Sequence, residues 1–204
     1  EGRPLTRGAT ITDANGQFLR KRILALRALA GKLSLTELEA EVAAQIGVLR
    51  DAGVRMSHLD GHKHLHQLPI VCAAVANVLP RFAIERVRIT RLGSWRKVSG
   101  PSMLAREIAA RRAACVFARA RLRSPARTVD LRELLAGNGR EALAARPAAG
   151  PEPIEICCHP GTPAADDEKP GSHRRSTELE YLLSPDFRAV LAAGGAALVS
   201  YWRV

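Results

Sequence analysis

Apolar positions along the chain switch repeatedly between a helical and an extended period. Leu38, Val42, Ile46 and Leu49 recur at helical spacing, and Ser34-Leu35-Thr36-Glu37 in front of them is a capping box. Gly53 closes that helix. An earlier cluster (Leu19, Ile23, Leu26, Leu29) predicts a helix over 17–30, ended by Gly31 and preceded by a turn at Asp13-Ala14-Asn15-Gly16. Pro69 opens a third helix through Ile70, Val71, Ala74 and Val78, stopping near Pro80. Residues 102–122 form a long basic helix, broken by Ser124-Pro125. Shorter helical patterns cover 129–135, 140–146, 177–183 and 185–193. The extended patterns are a short run at 54–59, the alternating Arg86-Val87-Arg88-Ile89-Thr90-Arg91, a buried strand at 154–158 and a closing strand at 196–201. Alternation of this kind predicts one α/β domain over 1–204, with parallel strands and right-handed crossovers.

Three polar segments follow extended runs directly: Asp60 to His66, Thr90-Arg91 and His159-Pro160-Gly161. In parallel α/β folds the strand C-termini share one edge, where ligands bind. The first segment concentrates four of the six histidines, at 58, 62, 64 and 66, with Asp60 in the same alternating row. An extended backbone would set every second side chain on one face, about 6.6 Å apart. Imidazoles and a carboxylate so placed are the donor set of zinc and other divalent metals, and Asp60 can instead fix the tautomer of a ligating histidine. His159 is a candidate general acid or base. Arg91 suits a substrate oxygen or a carboxylate partner.

Composition trims the alternatives. The net charge is +11, carried by arginines spread over Ala-rich helices, while aromatics make up only 4%. Stacking platforms for single strands are therefore scarce, and no nucleic-acid partner is expected. No apolar run nears the roughly 18 residues that span a bilayer. Cysteines 72, 115, 157 and 158 contain no C-x-x-C pair, and 157 and 158 point oppositely in a strand. Buried thiols in a reducing, cytoplasmic compartment are the expectation. Phosphate-binding glycine loops and nucleophile elbows are absent. Trp95 is a loop aromatic able to line a sugar site, and Asp166-Asp167-Glu168 reads as a solvated acidic loop. His173 reads as a surface residue.

Residues 57–69 (SHLDGHKHLHQLP), Arg88-Ile89-Thr90-Arg91, Ile156-Cys157-Cys158-His159-Pro160 and Thr177-Glu178-Leu179-Glu180-Tyr181-Leu182 together resemble the YdjC-like carbohydrate deacetylases. The resemblance runs in consistent order from Glu1 to Val204. It implies an irregular (β/α) barrel related to the TIM barrel, a divalent Mg or Zn cofactor and an N-acetylated sugar as substrate. Family ligands are an Asp from an Asn-Ala-Asp-Asp-Phe-Gly-like segment, a His from Gly-x-His and the His of Asp-x-His. Only the last has a counterpart here, in Asp60-Gly61-His62, so the resemblance makes His62 the metal ligand. It places His64 and His66 in the pocket; with Arg91 they are the expected substrate-binding residues, and His159 and Asp60 the expected catalytic ones. Glu1 to Leu5 match the loop after the Gly-x-His strand. The expectation is a barrel incomplete at its N-terminus, with weak or absent metal affinity and activity, and with strand edges open to homo-oligomer formation. Competing readings are a non-catalytic metal- or carbohydrate-binding remnant and a basic nucleic-acid-binding protein.

Overall fold

In a computed structural model, residues 2–92, 99–138, 143, 153–162 and 172–204 are described. Trp95, the acidic run at 166–168 and most of the expected 140–146 helix lie outside them, as does the side chain of His173. The chain forms two compact units, one of residues 1–124 with 201–204 and one of 125–200.

In the first unit the Asp13 turn closes a small hairpin. Its carboxylate accepts the Asn15 and Gln17 N–H groups at 2.9 and 3.0 Å, and Thr12 pairs antiparallel with Phe18. That pairing keeps 17–20 extended, so the first helix, α1, spans only Lys21–Leu29. Gly31 follows at φ +65°, a left-handed turn that glycine adopts without strain. Helix α2, Leu35–Asp51, starts where the capping box predicts, with Ser34 Oγ accepting the Glu37 N–H at 3.3 Å. The reciprocal half of the box runs through Thr10. Its hydroxyl accepts the Ser34 N–H at 2.9 Å and donates to Glu37 Oε2 at 2.6 Å. Glu37 thereby ties the N-terminal loop to the helix start.

Helices α3, Pro69–Val78, and α4, Pro101–Arg119, complete the unit's helical layer. Pro69 and Pro101 open them because a first-turn residue needs no intrahelical N–H bond. Between the helices run extended segments. Leu59 bridges Val87 and Arg86 bridges Arg123, both in parallel. Val87 and Ile89, buried at 0% and 1%, pack with Cys72, Val75, Ala113 and Phe117. Cys72 is the buried thiol expected, whereas Cys115 is exposed.

The closing strand expected at 196–201 does not form: 196–200 has no regular structure, and Tyr201–Arg203 is a single 3-10 turn. Side-chain ties fix this end in place of a sheet ladder. The Arg86 guanidinium donates to the carbonyls of Trp202 at 2.9 Å and Val204 at 3.1 Å, and Tyr201 stacks on His58 at 3.7 Å.

The second unit holds a two-stranded parallel sheet of β1, Arg127–Asp130, and β2, Ile154–Cys157, with Val129 opposite Ile156. β1 takes residues 129 and 130 from the helix expected over 129–135, and helical turns begin at Leu131. The strand ends at Asp130, whose carboxylate caps the turn that follows by accepting the Arg132 N–H at 3.0 Å. Helices α5, Ser172–Leu183, and α6, Pro185–Ala193, come next, α6 capped by Ser184. Phe187 and Leu191 of α6 pack with Val129 and Leu131. Helices and short parallel pairings make this an α/β chain, as the alternation predicts. Among the described residues, no helix is long and apolar enough to cross a membrane.

Candidate active site

The histidine row is not the extended ladder its spacing suggests. Residues 62–67 form a 3-10 segment in which Lys63 and His64 take left-handed backbone angles, φ 51° and 59°. The tight fold lets the His64 N–H reach the Gly61 carbonyl at 2.8 Å. A period of two in polar residues carries no buried face to hold a strand register, so local turn formation prevails. The four imidazoles therefore take four different environments.

His66 is 2% exposed and bonded at both ring nitrogens. Its Nδ1 accepts the Gly61 N–H at 3.0 Å, and its Nε2 lies 2.7 Å from the Arg88 carbonyl oxygen. A backbone N–H can only donate and a carbonyl can only accept, so the neutral Nε2–H tautomer satisfies both. Neither nitrogen is left for a metal or a sugar. Both ring nitrogens of His66, expected among the substrate-binding residues, are thus engaged within the chain, and the ring ties the turn after Asp60 to the segment through Arg88. Arg88 completes the loop by donating from Nη1 to Asp60 Oδ2 at 2.8 Å. Gln67, also buried, pairs with the Thr90 hydroxyl at 2.9 Å. These ties bring Asp60, His64, His66 and Arg88 to the segment end that carries Arg91, itself half-buried.

His62 projects from the start of the turn and is exposed. His64 is half-buried, and its Nδ1 is buried without a hydrogen-bond partner. Burial, with the Arg88 charge behind it, drives the His64 pKa down to about 4 and keeps the ring neutral. A neutral imidazole with an unused nitrogen is chemically a metal ligand. The number of donors falls short, however. Among the described residues no three His, Cys, Asp or Glu side chains converge to hold a cation. His58 stacks on Tyr201 and contacts Ser57 Oγ through Nδ1 at 2.9 Å, so it belongs to the packing of the C-terminal turn.

His159 belongs to the second unit, where one residue separates it from the end of β2, and its side chain is exposed. Its backbone N–H donates to Glu178 Oε2 of α5. Glu178 is 1% exposed and also accepts from Arg174 Nε at 2.8 Å. Burial pushes the Glu178 carboxyl up, and the His159 N–H and Arg174 together outweigh it, leaving the group below its usual range. Sequence reasoning gave Arg88 and Glu178 no role. Each acts on a partner far along the chain, Asp60 for Arg88 and His159 for Glu178, so no local pattern marks either.

His58, His64 and His66 are all lowered, chiefly by burial. The unfolded chain takes up protons near pH 6.5, while the folded chain resists until about 4 at His64. The stability they contribute is complete above pH 6.5 and is lost as pH falls through that window. A loss on the order of 2 kcal/mol is expected from His64 alone after solvent screening. A thermal midpoint that stays flat from pH 7 to pH 4.5 would contradict this.

A sequence model described as YdjC-like protein matches residues 1–193. A carbohydrate deacetylase of Homo sapiens is 32% identical over 97% of this chain and 70% of its own length. One of Mus musculus is 31% identical over 97% of this chain and 73% of its own. A chitooligosaccharide deacetylase of Yersinia pestis is 40% identical over 37% of this chain and 29% of its own length.

Proposed function

Because the chain belongs to the YdjC-like family, we propose that it is a carbohydrate deacetylase, a hydrolase that removes the acetyl group from an N-acetylated sugar. The observation that supports this most is the anchored polar end that carries Asp60 and the neutral His64 imidazole, built by the Gly61–His66–Arg88 ties. The irregular (β/α) barrel of the resemblance is the architecture we propose for it, in keeping with the parallel pairings of both units.

The reaction adds water to the acetamide carbonyl carbon, breaks the C–N bond, and delivers a proton to the departing nitrogen; acetate and an amino sugar leave. His159 is the proposed proton donor, its exposed imidazole carried on a backbone fixed at the end of β2. Arg91 is proposed to face the carbonyl oxygen as negative charge builds there. Asp60, held by Arg88, is the proposed carboxylate for orienting water. A divalent cation, Mg or Zn, remains the proposed cofactor, with His62 and His64 as its imidazoles. Bound, it would polarise the carbonyl and acidify water. Among the described residues no third His, Cys, Asp or Glu side chain completes a ligand set with them.

The test is acetate release from N-acetylglucosamine oligomers by the full chain, with and without added Mg²⁺ or Zn²⁺, beside His62→Ala. Metal-stimulated release that His62→Ala lowers at least about tenfold is expected. Saturable oligomer binding with no acetate under any condition would leave a carbohydrate-binding remnant and sink the enzyme.

A further inference from the structure

Three helices of this protein carry the same device. In α2, Glu41 is 4% exposed and accepts the backbone N–H groups of Leu5 at 3.1 Å and Thr6 at 2.9 Å, with Gln45 four residues on donating at 2.7 Å. In α4, Glu107 is 2% exposed and accepts the Leu92 N–H at 2.9 Å, with Arg111 four residues on donating through Nε at 2.7 Å. In α5, Glu178 accepts the His159 N–H, with Arg174 four residues back donating through Nε. A buried carboxylate is costly unless its oxygens are filled. Here a neighbouring-turn donor and a loop N–H fill them each time. Two of the anchored amides adjoin candidate residues, each within its own unit: Leu92 directly follows Arg91, and His159 is itself a candidate.

We propose that Glu178 is a positioning residue for His159, setting the direction of its imidazole by fixing its backbone N–H. The inference rests on reading His159 as the proton donor. The geometry gives it content. The ring is exposed, so packing does not aim it, and the backbone bond to a buried group is what does. Glu107 stands in the same relation to the residue after Arg91.

The test is steady-state acetate release by full-length variants, with thermal midpoints measured alongside. Glu178→Ala is expected to lower kcat about 10- to 100-fold with KM within about twofold, since a misplacement of about 1 Å has effects of that size. Glu178→Gln keeps an oxygen at the same reach and is expected to recover most of the rate. Glu178→Asp keeps the charge, withdraws the oxygen by one methylene and is expected to stay slow. This order, Gln above Asp, separates reach from charge even if Glu178→Ala fails to fold. In a His159→Ala background, Glu178→Gln and Glu178→Asp are expected to be equal within about twofold, because there is no imidazole left to aim. The proposal is overturned if Asp matches or exceeds Gln, or if the difference between them persists without His159. If His159→Ala alone leaves kcat unchanged, the reading of His159 fails instead, and the two failures are told apart by that single variant.

Discussion

Gly61→Ala is expected to destabilise the first unit by about 2–4 kcal/mol, and His66→Ala by about 3–5 kcal/mol. The two figures have one cause. A Cβ on Gly61 would lie 2.6 Å from His66 Nδ1, closer than side chains come, and 3.0 Å from His66 Cβ, so something must shift. The Gly61 backbone sits at φ −107°, an ordinary extended value, so the cost is steric contact with no strained dihedral behind it. His66 cannot withdraw, because it is 2% exposed and held by the Arg88 carbonyl at 2.7 Å. Removing the ring takes the acceptor from the Gly61 N–H and a donor from the Arg88 carbonyl, and leaves a hole the size of an imidazole. His62→Ala, by contrast, deletes an exposed ring and should move stability by less than about 0.5 kcal/mol. Urea unfolding of the three variants decides the matter. If His66→Ala costs no more than His62→Ala, the buried tie carries no weight and His66 returns to the pool of ligand candidates.

Protonation of His66 makes the same point from the other side. A charged ring would turn Nδ1 into a donor facing the Gly61 N–H. Burial holds its pKa below the ordinary histidine value, with the Arg88 bond working against that shift. The tie is therefore strongest at neutral pH and weakens on acidification, in the direction expected of the histidines as a group.

The helices were the legible part of this chain, and for physical reasons. Ser34, Pro69, Ser184 and Pro185 are local signals, readable within one turn, and the helices they open start where expected. The short β1 was hidden because Arg127-Thr128-Val129-Asp130 runs straight into Leu131 and Leu134, whose spacing suits a helix. A partner 27 positions away, Ile154 opposite Arg127, decides the strand, and no local pattern announces it. Residues 196–201 fail in the opposite way. Their β-branched and aromatic content reads as a strand, yet the segment ends in a 3-10 turn held by His58 and Arg86. For the candidate site, chemistry was legible and roles were not. The sequence marked His58, His62, His64 and His66 as a group. Only the fold separates one exposed ring, one unpartnered nitrogen, one doubly bonded structural ring and one stacked ring. The buried glutamates were invisible because their partners, Leu92 and His159, lie 15 and 19 residues from Glu107 and Glu178.

His159→Ala is expected to lower kcat about 100- to 10,000-fold, the usual worth of a positioned proton donor. The expectation is sharp because of where the residue sits. Its side chain is exposed and its backbone bond to Glu178 is made by the N–H, so alanine keeps the fold and the anchor while removing the ring. The thermal midpoint should then stay within about 2 °C of the parent, since surface truncations cost little. A fall in kcat with an unmoved midpoint locates the loss in the chemical step. Protonating the departing nitrogen matters only as the C–N bond breaks, so kcat and kcat/KM should fall together while KM holds. A raised KM with kcat intact would instead make His159 a sugar-binding group. That outcome would shift proton delivery onto another residue, and Glu178 would then be fixing a binding loop.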